Sequence, residues 1–413
     1  MNRYRRILRH GEAARPFAAA VLARLPVSMV PLGMVLLVQQ VSGSYGAAGV
    51  VTAVFALATS LTAPVWGRLL DVLGQPRVVA PTSLASAACL TAFALAAVSG
   101  ASPGALVALA AGVGLAFPPM SSAMRAAWRV VLTAEDDRRA AYALDAVAVE
   151  AVFVVGPLVV SALLVLTPPA VPLLVTAGLL AAGGVLYSAT RAARDWRAEP
   201  HLGAHGHQGR SPLATRGVLP VLLVALAMAV GFGQLDVAVP ATAREALGQA
   251  AAVGWLFTAI AGGSVAGGLA YGSRHWAGVE RRRLPVPLAG FAVGLVALFL
   301  AARFGRAHLT VLLPVLLLTG LSIAPTLIMQ ANLVDHLAPR DRFGEAQAWL
   351  STAFTSGGAA GAAVAGVLID AAGPSRAFLG AAGAVILATV GAVLAQPLLR
   401  GADRHEHPPA PPG

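Results

Sequence analysis

Long apolar runs separated by short polar interruptions make up most of the chain, and the interruptions coincide with Gly, Pro and charged residues. This pattern predicts helices at 16–40, 47–73, 77–99, 103–132, 140–166 and 169–192. A second set follows at 217–241, 249–273, 284–303, 307–337, 343–371 and 376–399. Runs such as 284–302 and 377–394 approach the roughly 20 residues that a helix needs to cross a hydrocarbon core about 30 Å thick. In lipid a helix satisfies its own backbone donors and acceptors, so the pattern reads as an all-α integral membrane protein with about 12 transmembrane helices.

The helices fall into two sets of six. Residues 1–192 form an N-terminal half and 217–399 a C-terminal half. Between them, 193–216 is a polar linker rich in Gly, His and Arg, and 400–413 is a Pro-rich tail expected to be disordered. Sliding the chain by 206 residues places Gly114 on Gly320, Leu115 on Leu321, Pro119 on Pro325 and Arg68 on Arg274. An offset of half the length is the mark of duplicated halves, an architecture used by secondary transporters with a site near the bilayer midplane.

Composition narrows the class. Hydrophobic residues make up 57% and charged residues 11% of the chain, against about 25% charged in soluble domains. The net charge of +11 comes from 29 basic residues, all Arg. With both termini on one side, 24 of these Arg fall in the loops of that side and 4 in the opposite loops, leaving Arg24 inside a helix. By the positive-inside rule both termini are then cytoplasmic, and the charge orients the protein without requiring a nucleic-acid partner. The basic opening segment leads into a run of spanning length, which predicts no cleavable leader. The single Cys89 lies in an apolar run and reads as a small buried hydrophobe. Phosphate loops, zinc-protease motifs and nucleophile elbows are absent from the sequence, so neither an enzyme nor an ATP-driven pump is expected. His201, His205 and His207 are spaced like ligands but lack Cys or carboxylate partners in register, so no metal is assigned.

The stretch "WGRLLDVLGQPRVVAP", 66–81, interrupts the apolar pattern between the second and third helices. It resembles the loop motif G-x-L-x-D-x-x-G-x-x-R of the major facilitator superfamily, with Gly67, Leu69, Asp71 and Gly74 in matching places. Gln75 and Pro76 stand where the family usually has a basic pair, Arg is delayed to Arg77, and Val72 replaces a frequent basic residue. The resemblance implies a cytoplasmic gate of Gly67, Arg68, Asp71, Gly74 and Arg77. In it Asp71 engages Arg125 or Arg129 and points toward the helix starting near Phe343. A plain solvated turn with capping glycines is the alternative. In "EAVFVVGPLVVSAL", Gly156 and Pro157 match the centre of the family's fifth-helix exporter motif, whose flanking glycines are here Val152, Val160 and Ser161. The fourth-helix Arg that precedes G-x-G in the family is replaced by Ala108, which removes a proton relay through that position.

Ionisable groups inside spans cost some 2.5–3.5 kcal/mol on insertion scales and mark function by default. Asp236 in the seventh helix and Glu150 in the fifth are the candidates for proton coupling, in that order. Arg24 in the first helix and Asp145 in the fifth complete the set. Because first and seventh helices line the cavity in the superfamily, the resemblance makes Arg24 and Asp236 cavity-facing. Alternatives are a structural pair or snorkelling for Arg24, an outer helix cap for Asp236, an interfacial position for Asp145 and a first-turn position for Glu345. The Gly pairs 263/267 and 357/361 read as close helix contacts. The expected protein is a secondary transporter working by alternating access, exporting small hydrophobic molecules with the proton gradient as energy source and no cofactor. Import of a metabolite by a facilitator or symporter is one alternative; a non-transporting membrane sensor is another. Its partners are the lipid bilayer and a small-molecule substrate, and it acts as a monomer. Arg-only basic usage with abundant Ala points to a bacterium with G+C-rich DNA, hence to the bacterial inner membrane.

Overall fold

A computed structural model describes residues 11–132, 135–195, 215, 217–273, 279–305, 308–338 and 343–399. Among these, twelve helical segments are long and apolar enough to cross a membrane. The chain divides into two compact units, Met1–His205 and Gly206–Gly413.

In the first unit, span 1 is Gly11–Ser42, span 2 Tyr45–Leu73 and span 3 Gln75–Val98. Span 4 consists of two pieces, Pro103–Leu115 and Met120–Val131, followed by span 5, Glu135–Leu166, and span 6, Val171–Ser188. The helix starts follow ordinary capping chemistry. The Ser44 hydroxyl accepts from the Ala47 N–H at 3.0 Å, and Ser102 precedes Pro103 at the first helical position of span 4. Span 1 packs on spans 5 and 6, span 3 on span 6, and span 2 on the first piece of span 4.

The second unit repeats this plan. Span 7 is Val218–Ala241 and runs into a wide π-type turn, Thr242–Ala246; span 8 is Val253–Gly272. Span 9 starts with a single turn, Glu280–Arg283, and continues as Pro285–Arg303; span 10 is again split, Leu309–Gly320 and Ile323–Leu337. Spans 11 and 12 are Phe343–Ala372 and Pro374–Leu394. Span 7 packs on 11 and 12, span 9 on 12, and span 8 on the first piece of 10, the same partners shifted by six.

The two broken helices fall at the same place in the repeat. Span 4 is interrupted at Ala116–Pro119, where Pro118 and Pro119 have no N–H to continue the ladder. The 206-residue shift carries Ala116 onto Ser322, beside the interruption of span 10. One loose end in the first unit is capped by a side chain: Trp66 Nε1 donates to the Leu115 carbonyl at 2.8 Å.

Glycines set the closest approaches. A Cβ on Gly263 or Gly267 would strike the backbone of Leu317 or Leu321 on span 10, and one on Gly357 or Gly361 would strike Leu226 or Val230 on span 7. The two glycine pairs of the sequence therefore serve helix packing. Large apolar side chains such as Leu61, Leu166, Val286 and Leu394 point outward, as lipid-facing helices require.

The structure shifts some expected limits. Span 1 begins at Gly11 rather than 16, and span 5 at Glu135 rather than 140. Beyond span 6 a further turn, Arg191–Asp195, buries Ala192 and Ala193 in the first unit's core, so the N-terminal half extends past residue 192. The rest of the expected linker, apart from Thr215, and the 400–413 tail lie outside the described residues, as do His201, His205 and His207.

Candidate functional site

In the first unit, two of the predicted membrane-embedded charges meet. Arg24 is 2% exposed and Asp145 5% exposed. Arg24 Nη1 donates to Asp145 Oδ1 at 2.6 Å and Nη2 to Oδ2 at 3.4 Å. Nη2 also reaches the carbonyl of Met120, at the start of the second piece of span 4, at 3.5 Å. Asp145 is thus buried between helices, not interfacial, because a guanidinium from span 1 neutralises it. Arg24, which the resemblance made cavity-facing, pairs with Asp145 within its own half, the structural pairing weighed as its alternative.

The backbone explains why the two side chains meet. Positions 145, 152 and 156 lie on one face of span 5, and 24 and 28 on one face of span 1. Ser28 donates to the Val152 carbonyl at 2.8 Å, and a Cβ on Gly156 would collide with the Ser28 hydroxyl. Gly156 therefore allows the helix approach that brings Asp145 onto Arg24 three turns away. Pro157 follows it inside a continuous helix.

A second layer surrounds the pair. Gln75, fully buried at the start of span 3, accepts from the Tyr187 hydroxyl of span 6 at 2.8 Å and donates to the Ala123 carbonyl of span 4 at 3.0 Å. Sequence reading treated Gln75 only as a missing basic residue of the loop motif. Its replacement of a charge is the signal that it turns inward. The preceding Gly74, at φ 85° and ψ 157°, occupies a conformation nearly restricted to glycine, and its N–H caps span 2 through the Leu70 carbonyl at 3.1 Å. Of the expected gate, Arg68, Arg77 and Arg125 are exposed, and Gly67 has open space where a Cβ would stand. The side chains of Asp71 and Arg129 lie outside the described residues, as do those of Glu150 and Glu345.

In the second unit the carboxylate is different. Asp236 sits in span 7, one turn beyond Phe232, whose ring lies 6.0 Å from that of Phe354 on span 11. It is half-buried, within the helix rather than at its end, and among the described residues it forms no hydrogen bond or ion pair. Pro240, four residues on, removes the N–H that would have bonded the Asp236 carbonyl. Neighbouring residues fit span 7 tightly to its partners: Gly231 abuts Val385, Gly233 abuts Gly358, and Gln234 lies against Gly380.

A membrane protein of two repeated six-helix halves, with the fourth helix of each broken at the same point and ionisable groups within the spans, has the architecture of a secondary transporter. The chain matches the model of the Major Facilitator Superfamily over residues 17–362 and again over 221–412, and it belongs to that family. No curated protein matches the chain. Among solved structures it is similar to the nucleoside transporter NupG, with 13% identity over 94% of this chain and 99% of that one and a TM-score of 0.73. It is also similar to a bacterial homologue of the iron transporter ferroportin in an inward-facing state, with 15% identity, coverage of 92% and 98%, and a TM-score of 0.72. A third likeness is to the human organic anion transporter MFSD10 (TETRAN), with 18% identity, coverage of 94% and 99%, and a TM-score of 0.62. At these identities the likenesses establish the fold.

Proposed function

We propose that the protein is a proton-coupled secondary transporter of a bacterial inner membrane, with both termini cytoplasmic, exporting small hydrophobic molecules by alternating access. One observation carries the coupling: among the described residues Asp236 is a carboxyl inside a span with no ion-pair partner, whereas Asp145 is held by Arg24. A carboxyl without a built-in partner is open to neutralisation by a proton or by a cationic group of a substrate, and competition between the two links their fluxes. The distribution of Arg supports the orientation. The Gly156–Pro157 pair supports export, on the strength of the motif it matches.

The test is proton release by purified protein on addition of lipophilic cations and antibiotics, in wild type, Asp236→Asn and Glu150→Gln, with flux direction read in energised vesicles. Release that is lost in Asp236→Asn and kept in Glu150→Gln is the expected result. Release that persists in Asp236→Asn rejects this residue as the coupling site, and flux that follows protons inward rejects export.

A further inference from the structure

Leu115 is the last residue of the first piece of span 4, and its carbonyl loses both donors that a helix would offer it. An α-helical bond would come from the N–H of residue 119 and a 3₁₀ bond from that of residue 118, and both residues are proline. The Trp66 indole of span 2 supplies the donor instead, with Nε1 at 2.8 Å from the Leu115 oxygen. A double proline leaves two rungs of the ladder open, so the two pieces pivot unless another group fixes their angle.

Trp66 stands immediately before Gly67, where the loop motif begins, and eleven residues after Phe55, three turns along the same face of span 2. Phe55 holds the break from further up that face. Its ring meets Phe117 edge-on with centroids 5.6 Å apart, and a Cβ on Gly114 would strike its carbonyl. The Trp66 side chain also packs against the buried cluster to which the second piece contributes Met120, Ala123, Met124 and Trp128. That piece is held in turn by Arg24, which reaches the Met120 carbonyl, and by Gln75, which donates to that of Ala123. Trp66 thus spans the break, bonded to the first piece and packed on the cluster that holds the second.

The second half shows the same break with one donor left. The 206-residue shift carries Pro119 onto Pro325 but Pro118 onto Ala324, so the equivalent carbonyl, that of Leu321, loses only one of its two helical donors. The interruption of span 10 covers 321–322 alone, against 116–119 in span 4. Gly272 stands at the position equivalent to Trp66, and the Leu321 carbonyl lies against Gly267 of span 8. Within the repeat, the indole accompanies the second proline.

We propose that Trp66 is a positioning residue for a hinge in span 4: its N–H bond to Leu115 fixes the angle between the two pieces, and release of that bond lets the second piece pivot about 116–119. On the alternating-access reading above, on which its part in transport rests, the start of the loop motif thereby sets the angle of span 4. The hinge itself does not depend on that reading.

Double electron–electron resonance on the full-length protein in lipid nanodiscs tests it. Spin labels at Ala105→Cys and Ser122→Cys, exposed positions on the two pieces, report their separation in a Cys89→Ser background. Trp66→Phe keeps an aromatic ring on the cluster and removes the donor. The expected result is a second distance in Trp66→Phe, with the ratio of the two populations changed by roughly 2- to 10-fold, the size of one net hydrogen bond. Pro119→Ala restores an N–H four residues after Leu115, so Trp66→Phe/Pro119→Ala should return toward the wild-type distribution, which a loss of packing alone would not do. Melting curves check that both variants are folded. A Trp66→Phe distribution identical to wild type overturns the proposal, as does a double variant as broad as Trp66→Phe. If the distances behave as expected but energised vesicles with wild type show no flux of lipophilic cations or antibiotics, the hinge stands and the transport reading falls.

Discussion

Removing one member of the Arg24–Asp145 pair should damage the first half far more than removing both. Both side chains are nearly inaccessible, 3% and 8% exposed, and both oxygens of Asp145 are engaged by Arg24. In Arg24→Met, Asp145 loses all of its donors and is left as a charge among helices. Breaking a buried pair from one side costs about 3–5 kcal/mol, and the about 2.5–3.5 kcal/mol for a lone charge at a span centre agrees in size. In Arg24→Met/Asp145→Leu neither charge remains, and the pairs so replaced are often neutral or stabilising by about 1–4 kcal/mol. Each single variant should therefore lose several kcal/mol, and the double variant should regain most of it. Equilibrium unfolding in mixed micelles, run as a double-mutant cycle, measures this. Single variants within about 0.5 kcal/mol of wild type, the usual scale of a neutral surface change, would refute the reasoning. So would a double variant that loses the sum of the two.

The glycines of the 66–81 loop should behave in opposite ways. Gly74→Ala forces a side chain into φ 85°, ψ 157° and should cost about 1–3 kcal/mol, whereas Gly67→Ala, in a helix with open space at the Cβ, should be neutral or stabilising by up to about 1 kcal/mol; thermal melting of the two variants compares them. Gln75→Leu leaves the buried Tyr187 hydroxyl without its acceptor and should lose about 1–3 kcal/mol, with Tyr187→Phe losing less; equal melting shifts would contradict this. Gly156→Ala should cost about 1–3 kcal/mol through collision with Ser28, and Ser28→Ala in the same chain should restore part of it, read as recovery of the melting temperature.

The fold was legible because it rests on long-range features of the sequence: apolar run length, Gly and Pro punctuation, and the side of the chain on which Arg gathers. The broken fourth and tenth helices were also foreshadowed, since Pro119 and Pro325 coincide at an offset of 206. Partner choice within each half was not legible. Nothing local in "AVLARLP" says that Arg24 meets Asp145, 121 residues away, because that meeting depends on the approach allowed by Gly156 and Ser28. Likewise Gln75 looked like a deficit in a motif, since burial at a helix start depends on which neighbouring spans close over it. The 206 offset held a usable hint, as it carries Gln75 onto Arg281.

That coincidence bears on how the duplicated halves have diverged. In each half, a residue in the first turn of the third span is buried and tied to the chain at or just past the end of the sixth: Gln75 to Tyr187 in the first, Arg281 to Gln396 in the second. The mechanical role is kept while the chemistry is exchanged. The other charges have not been kept: the positions equivalent to Arg24 and Asp145 are Val230 and Ser351, and those equivalent to Asp236 and Glu280 are Val30 and Gly74. Each half has the same packing of helices, but the Arg24–Asp145 pair of the first has no counterpart in the second, where Val230 and Ser351 stand at those positions. The paired charges of the first half hold spans 1 and 5 together.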